Sequence, residues 1–319
     1  MIDIESVGVH RPRYRIDASE FEAVWGDGPG ANVSSVAVPG PDEDALTMGV
    51  EAAERALDAS SADRSAIGAV AIGTTTPPLE ENDPGAQLVE MLGLARSTET
   101  DAFAQSTRAG VRALRTVASG DVEPALVVAT DRPRGEPDDA IGQRAGAGAV
   151  AMILSDDGDA ALVEAGQYAR SFPGTRYRER AAATTRSYGA TSYERRSYVE
   201  TVGAALDALT EPIEAVAPTA PNGTMPHRAT NDVDNDPVIY HRADELGDLG
   251  AASPFFGLLA AWEDGQRNVT LVGYGGGAAA DAVRVEGSTT PVGRTFDWSS
   301  LTYAEYLRFR GEITSGGDR

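Results

Sequence analysis

Short apolar segments alternate with helix-forming segments along this sequence. In the first half of the chain, strands are predicted at residues 66–73, 124–130 and 146–154, and helices at 45–59 and 106–119. An apolar run that is bounded by turn residues favours a strand that is buried on both faces. Because strands and helices alternate, the sequence indicates an α/β fold with parallel strands.

The second half of the chain repeats this alternation without a visible sequence repeat. Helices are predicted at 197–209 and 250–262, and strands at 215–217, 269–273 and 282–285. Each half runs strand, helix, strand and ends in a pair of strands, which suggests a duplication. A chain of 319 residues is long enough for one large domain or for two fused halves.

The predicted division has an N-terminal half at residues 1–167, a C-terminal half at 168–286 and a tail at 287–319. The tail is polar at first and becomes helix-like at 301–310. In the N-terminal half, we expect a strand at 160–167 to pair with the strand that precedes it in the chain.

Acidic residues outnumber basic residues by 49 to 27, and the formal net charge is −22. All 27 basic residues are arginine. This charge argues against non-specific nucleic-acid binding, which needs a positive surface. At low salt the many negative charges repel one another and destabilise the folded state, and concentrated salt screens this repulsion. We interpret the composition as halophilic; an acidic protein from a high-GC organism is the alternative.

Nothing in the sequence predicts insertion into a membrane. The longest apolar runs, such as 125–129 and 149–154, are too short to span a bilayer, and residues 1–5 lack the features of a signal peptide. The expected location of the protein is therefore the cytoplasm. The absence of cysteine excludes disulfides, thiolate zinc sites and a catalytic thiol.

Two hydroxyl side chains, Ser106 and Thr107, lie where a predicted strand at 101–104 runs into the helix at 106–119. A helix N-terminus offers unpaired backbone N–H groups and a partial positive charge, and many folds place a nucleophile there. This junction is therefore the first candidate for a reactive site.

Two further segments are candidates for ligand binding. Residues 168–198 are rich in arginine and tyrosine, so they could bind an anion or a nucleobase, or form a surface excursion whose arginines pair with acids. The glycine-rich turn at 274–281 allows the backbone to approach a ligand or a neighbouring strand. This turn lacks the spaced glycines and the lysine of a phosphate loop.

Six motifs are distributed along nearly the whole chain. They are PRYRI at 12–16, VPGPDED at 38–44, AGAGA at 145–149, PNG at 221–223, GYGGGAAAD at 273–281 and YAEYLRFRG at 303–311. With this set the chain resembles the archaeal hydroxymethylglutaryl-CoA synthases, which are members of the thiolase superfamily. The resemblance implies an α/β thiolase fold with two similar βαβαβαββ halves in five layers, α-β-α-β-α, usually as a dimer.

The resemblance also implies where the catalytic groups of a condensing enzyme should lie. In such enzymes a cysteine takes an acyl group from a CoA thioester, a glutamate transfers protons, and a histidine and an asparagine hold the acceptor thioester. The positions that correspond to the cysteine, glutamate, histidine and asparagine hold, in that order, Thr107, Thr75, Thr219 and Asp248. The resemblance therefore implies that the reactive side chains are lost.

A residual acyl-CoA or oxyanion site is the part of the machinery that the resemblance leaves in place. It would consist of Ser106 and the backbone of the glycine-rich turn at Gly275, Gly276 and Gly277. A threonine hydroxyl is hardly ionised at neutral pH, so it needs a base before it can act as a nucleophile.

Nearby ionisable residues are weak substitutes for the lost groups. Glu80 and Glu81 follow Thr75 closely, but surface acids are expected in an acidic protein. His227 follows the PNG motif and is better interpreted as a surface or satisfied histidine. The position of the family's lysine holds Thr224.

Two functions are compatible with these substitutions. The first, which we favour, is a non-catalytic partner or scaffold subunit of an acyl-CoA-condensing complex, with a bound CoA thioester as its ligand and no cofactor or metal. The alternative is an altered acyltransferase or condensing enzyme that uses Ser106 or Thr107 on acyl-CoA thioesters. The absence of cysteine argues against full synthase activity.

The resemblance also implies the kind of partner. The expected assemblies are a homodimer, or a hetero-oligomer with an active thiolase-fold protein and a small zinc-ribbon/OB-fold protein. Neither a nucleic acid nor a membrane is expected as a partner.

Overall fold

The computed structural model describes residues 2–231, 233, 235–293 and 297–313. The strands are β1 (Asp3–His10), β2 (Tyr14–Asp17), β3 (Ser35–Val38), β4 (Ala69–Gly73), β5 (Glu99–Phe103), β6 (Ala125–Asp131), β7 (Gly148–Ser155), β8 (Ala160–Phe172), β9 (Ala215–Pro218), β10 (Val238–Ile239), β11 (Asn268–Gly275), β12 (Gly277–Gly287), β13 (Val292–Gly293) and β14 (Ser299–Ser300). The helices are α1 (Ala18–Trp25), α2 (Ala45–Ala59), α3 (Pro84–Met91), α4 (Ala109–Ala118), α5 (Ala140–Arg144), α6 (Thr191–Leu206), α7 (Met225–Ala229), α8 (Ala243–Leu246), α9 (Ser253–Glu263) and α10 (Tyr303–Phe309). Within the described ranges, no helix combines the length and the apolar character needed to cross a membrane.

One large sheet contains two halves with the same strand order. The order is β5-β4-β6-β7-β1 in the first half and β10-β9-β11-β12-β8 in the second. In each half three strands are parallel, and the other two form antiparallel pairs. The halves join where β1 pairs with β8 through the neighbouring pairs Asp3 with Ala161 and Ile4 with Ala160. The predicted α/β fold is confirmed, with a mixed rather than a wholly parallel sheet.

Helices cover both faces of each half of the sheet, which gives five layers. The outer face of the first half is covered by α2 and α3, and that of the second half by α6. Helices α4 and α9 lie between the two halves. The predicted five-layer α-β-α-β-α arrangement is confirmed.

Strand β7 shows how the sequence encodes two buried faces. All eight of its residues are buried, and its side chains alternate between the two faces. The residues that pack into the central layer are Val150, Met152 and Leu154. The residues that pack against the outer layer are Ala149, Ala151 and Ile153.

A smaller sheet, β14-β2-β3, packs with α1 and α10 at the edge of the fold. Phe21 and Tyr306 are buried in this cluster, and their rings are 5.3 Å apart in an edge-on arrangement. A capping box formed by Thr302 and Glu305 begins α10. The helix expected in the tail is therefore present, while residues 294–296 and 314–319 of the tail lie outside the described residues.

Two local predictions are wrong. Helix α4 begins at Ala109 instead of residue 106, because the Ala109 N–H donates to the Ser106 carbonyl (2.9 Å) and closes a turn before the helix. Strand β8 pairs with β12 and β1, and not with β7 as predicted. The reason is that β6 and β1 already occupy both edges of β7.

Candidate functional site

The Thr107 hydroxyl is held by a backbone carbonyl in the turn between β5 and α4. Thr107 is 3% exposed, and its Oγ1 donates a hydrogen bond of 2.6 Å to the carbonyl oxygen of Tyr274. Within the described residues, no carboxylate or imidazole hydrogen-bonds to this hydroxyl. The proton of Thr107 is therefore directed at an amide oxygen that cannot act as its base.

The backbone of Tyr274 also holds Thr219, at the end of β9. The Tyr274 N–H donates to Thr219 Oγ1 at 2.9 Å, and the hydroxyl of Tyr198 donates to the Thr219 carbonyl at 2.6 Å. Burial raises the pKa of Tyr198 and of Tyr274, so both phenols remain protonated donors. Thr107 and Thr219 are thus linked through one residue of β11.

Asp248 forms an ion pair with Arg176 that is almost completely removed from solvent. The distance between Asp248 Oδ2 and Arg176 Nη1 is 2.5 Å, and the two side chains are 4% and 19% exposed. The Gly250 N–H donates to Asp248 Oδ1 at 2.9 Å. Burial acts to lower the pKa of Arg176, but the carboxylates of Asp248 and Asp131 outweigh it and raise that pKa, so the guanidinium stays charged. The sequence allowed two interpretations of residues 168–198, an anion-binding segment or a surface excursion. For Arg176 the surface excursion is excluded, because its side chain is mostly buried and pairs with Asp248.

Thr75 lies beside a fully buried carboxylate, that of Asp131 at the end of β6. The Thr75 hydroxyl lies 2.9 and 2.8 Å from the two carboxylate oxygens, and the Thr76 hydroxyl donates to Oδ1 at 2.6 Å. The Ala251 N–H donates to Oδ2 at 2.9 Å. Burial raises the pKa of Asp131, and the Thr76, Ala251 and Thr75 hydrogen bonds together with Arg176 act against that rise.

The four positions that the resemblance pairs with catalytic groups, here called the family-equivalent positions, converge on two adjoining cavities. Thr107, Thr219 and Asp248 line a cavity of about 110 Å³. Thr75 lines a second cavity of about 230 Å³, together with Ser106, Thr107 and Gly276. Arg176 lines both cavities, as Thr107 does. The structure therefore brings together the side chains that the sequence analysis selected.

Sequence reasoning missed three ionisable groups of this site: Asp131, Arg176 and Glu194. Glu194 lines the 110 Å³ cavity, and burial raises its pKa while Arg144 and Arg176 oppose the rise. Asp131 had a usable signal, since an acid directly after a buried apolar strand is unusual in a core. Arg176 and Glu194 had no signal beyond their place in the arginine- and tyrosine-rich segment.

The glycine-rich turn is the tip of the hairpin formed by β11 and β12, and it packs directly on the site. A Cβ atom at Gly275 would lie 2.3 Å from Ser106 Oγ, and one at Gly276 would lie 2.7 Å from Arg176 Cβ. The Gly277 N–H donates to Thr175 Oγ1 at 3.1 Å, so this donor is already used within the protein. Glycine is needed here because the turn approaches its neighbours at backbone distance.

The other candidates lie apart from the two cavities. Glu80 is exposed and pairs with Arg180 at 2.9 Å, and Glu81 is exposed. Exposed His227 lies against His241, with their Nε2 atoms 3.4 Å apart. Across the described residues, no group of three or more histidine, aspartate or glutamate side chains is arranged to hold a metal ion.

Two five-stranded halves in five layers form the thiolase-type fold that the sequence predicts. The solved structure of MvaS in complex with 3-hydroxy-3-methylglutaryl coenzyme A covers 97% of this chain and 91% of its own, with a TM-score of 0.81 and 18% identity. A structure of an HMG-CoA synthase complexed with CoA covers 96% of this chain and 89% of its own, with a TM-score of 0.80 and 16% identity. At these identities the similarity establishes the fold.

The sequence comparison finds similarity to hydroxymethylglutaryl-CoA synthases. A hydroxymethylglutaryl-CoA synthase of Thermococcus onnurineus is 36% identical over 142 residues, which are 43% of this chain and 40% of that protein. The synthase of Methanopyrus kandleri is 27% identical over 343 residues, 98% of each chain. This chain spans about two-fifths of the length of the Thermococcus onnurineus relative. No family model matches the chain. The chain is similar in sequence to hydroxymethylglutaryl-CoA synthases of archaea, as its motifs predicted.

Proposed function

We propose that this protein is a non-catalytic, hydroxymethylglutaryl-CoA synthase-like subunit of an acyl-CoA-condensing assembly. The proposal rests on the 2.6 Å hydrogen bond from Thr107 to the Tyr274 carbonyl, at the position that the resemblance gives to the nucleophile. A nucleophilic hydroxyl must pass its proton to a base. Here the proton points at a carbonyl oxygen.

The other family-equivalent positions support the same proposal. The hydroxyl of Thr219 accepts the Tyr274 N–H, and the hydroxyl of Thr75 bonds to Asp131. Asp248 is neutralised by Arg176, whose side chain lines both cavities around Thr107. Each of these side chains is thus engaged in a contact that stabilises the fold.

A CoA thioester is the ligand that we propose for the site, without any other cofactor. Apolar side chains of Ile141 and Met225 line the 110 Å³ cavity beside Thr107, as does Asn222. Two solved structures with this fold contain CoA or its hydroxymethylglutaryl thioester. Retained binding without chemistry would suit a regulatory or scaffold subunit.

We propose a homodimer that forms through β5, the edge strand of the first half. The Glu99 N–H and the Phe103 carbonyl bond to the segment around β4. Residues of an edge strand in a parallel ladder bond alternately to the neighbouring strand and to the open side, so the N–H of Ala102 points to the open edge.

Ala102→Pro removes that N–H and leaves the hydrogen bonds between β5 and β4 in place, so it should convert a dimer into a folded monomer. Light scattering in molar KCl measures this; Ala102→Ser, which keeps the N–H, should remain dimeric, and a wild-type monomer would contradict the proposal.

The other proposed partners are implied by the resemblance to archaeal hydroxymethylglutaryl-CoA synthases and not by the geometry of this structure. We propose an active thiolase-fold protein and a small zinc-ribbon/OB-fold protein as the remaining members of the assembly. A related curacin pathway HMG synthase, with a TM-score of 0.80 to this chain, was solved in complex with an acetyl donor acyl-carrier protein. In that protein the fold accommodates a protein partner.

One observation favours the alternative, an altered acyltransferase that uses Ser106. Its hydroxyl has no hydrogen-bond partner among the described residues, and Ser106 lines the 230 Å³ cavity. Arg176 and Arg178 line the same cavity and could hold an anionic acyl group. This enzyme would be an acyltransferase acting on acyl-CoA thioesters.

Turnover distinguishes the two functions. In molar KCl, the purified protein with acetyl-CoA and acetoacetyl-CoA should release no more free CoA than the protein-free mixture. The Methanopyrus kandleri relative, 27% identical in sequence, serves as the active control in the same assay. Release of CoA that is lost in Ser106→Ala would overturn the proposal in favour of the alternative.

We also propose that the protein works in a salty cytoplasm, because its net charge is −22. Raising KCl from 0.1 to 2 M should raise Tm by about 10 °C, since the Debye length falls from about 10 Å to below 3 Å. Differential scanning calorimetry measures this shift. Sucrose, which stabilises without screening charge, should have a smaller effect. A Tm that does not depend on KCl would indicate an ordinary acidic protein.

A further inference from the structure

Three arginines face one another in a cavity that is separate from the site around Thr107. Arg132 and Arg134 follow β6, and Arg310 follows α10. Together they line a cavity of about 140 Å³, which shares no lining residue with the two cavities at Thr107. Thr184 is on the wall of the same cavity.

The guanidinium groups are held in place without a matching set of carboxylates. Arg132 donates to the carbonyl oxygens of Glu43 (2.9 Å) and Phe309 (3.3 Å). Arg310 donates to the Tyr306 hydroxyl at 2.9 Å and to the Gly135 carbonyl. Neutral acceptors fix the direction of a guanidinium but do not cancel its charge.

Two of the arginines that line the cavity have unpaired donors. Arg310 Nε is buried and has no hydrogen-bond partner within the described residues. The side chain of Arg134 is exposed and forms no ion pair in that part of the chain. A buried unsatisfied donor of a charged group costs stability unless a ligand or water satisfies it.

The charge around the cavity is unbalanced. Glu312 is the carboxylate that lines it, and it lies 3.7 Å from Arg310. Nearby Asp44 caps α2, and Glu43 bonds to His10 and to the Gly40 N–H. Burial, followed by repulsion from Arg134 and Arg310, lowers the pKa of Arg132.

We propose that this cavity, the Arg132–Arg134–Arg310 site, binds a phosphate group. A tetrahedral dianion offers oxygens to several guanidinium forks at once, which a spherical chloride does not. The cavity of about 140 Å³ has room for one such group beside the three arginines, while the Thr184 hydroxyl on its wall is already bonded to Glu136 Oε1 at 2.6 Å. An adjoining cavity of about 450 Å³, also lined by Arg132 and Arg134, could hold the rest of a phosphate ester.

The position of the site suggests what binding would do. Arg132 and Arg134 belong to the loop after β6, and Arg310 follows α10. A bound dianion would therefore connect two segments that are distant in sequence. Stabilisation by the ligand should follow its free concentration.

The test is titration with inorganic phosphate and, separately, with AMP, at constant KCl. Calorimetry should show saturable binding by wild type with a dissociation constant of about 1 mM. Tighter binding of AMP would identify a phosphate ester as the ligand, and tighter binding of inorganic phosphate would identify the free ion. The matched variants are Arg134→Gln, which changes a residue of the cavity wall, and Arg96→Gln, which changes an exposed arginine that lines neither cavity.

The variants separate ligand binding from a structural role. Arg134→Gln should weaken binding about 10-fold. Without phosphate its Tm should equal or exceed that of wild type, because one of three repelling charges is gone. Arg96→Gln should bind like wild type. No saturable heat with either probe, or equal binding by Arg134→Gln and wild type, would overturn the proposal.

Discussion

Replacing Asp131 by alanine is expected to lower the free energy of unfolding by about 4 kcal/mol. The carboxylate is fully buried and accepts hydrogen bonds from the Thr75 and Thr76 hydroxyls and from the Ala251 N–H. Alanine would leave the two hydroxyls and the buried Ala251 N–H without this acceptor. Urea unfolding followed by circular dichroism, in molar KCl, measures the change.

Asp131→Asn keeps the shape of the side chain but replaces one acceptor oxygen by a donor. It should cost about 2 kcal/mol, because one N–H or hydroxyl then faces an amide N–H₂ group. The matched control is Asp121→Ala, because Asp121 is exposed and its side chain forms no hydrogen bond within the described residues. If Asp131→Ala were no more destabilising than Asp121→Ala, Asp131 would not organise the site.

The second large effect is expected at the ion pair of Arg176 and Asp248. Arg176→Met and Asp248→Asn should each lower the free energy of unfolding by about 3 kcal/mol, because each leaves a mostly buried partner without its counter-charge. The double variant should be about 2 kcal/mol more stable than the sum of the single losses predicts. A double-mutant cycle by urea unfolding measures this coupling.

The exposed pair Arg180 and Glu80 is the matched control for that cycle. Its atoms are 2.9 Å apart, but its side chains are 88% and 59% exposed, so solvent screens the attraction. We expect its coupling to be close to zero. Similar coupling energies for both pairs would mean that Arg176 and Asp248 are solvated like a surface pair.

The parts of the fold that could be predicted are those encoded by local pattern. Strands β4, β6 and β7 are apolar runs whose period places alternate side chains on two buried faces, so their existence followed from sequence. The partner of β8 did not, because its pairing depends on which edges of β7 are already taken. The start of α4 was misplaced since the Ser106 turn looks like a helix start in sequence.

The site was predictable only where a motif fixed the position of a residue. The resemblance selected Thr107, Thr219 and Asp248, and the structure brings them to one cavity. Arg176 reaches the same cavity from a loop without periodicity, so only the tertiary structure shows its contact with Asp248.

The state of the Thr107 hydroxyl can be tested directly by mass spectrometry. The purified protein is incubated with acetyl-CoA in molar KCl, and its intact mass and peptide masses are measured. We predict an unmodified protein, because the hydroxyl donates to the Tyr274 carbonyl and no base takes its proton. An acetyl group on Ser106 or Thr107 that disappears in Ser106→Ala or Thr107→Val would contradict a non-catalytic site.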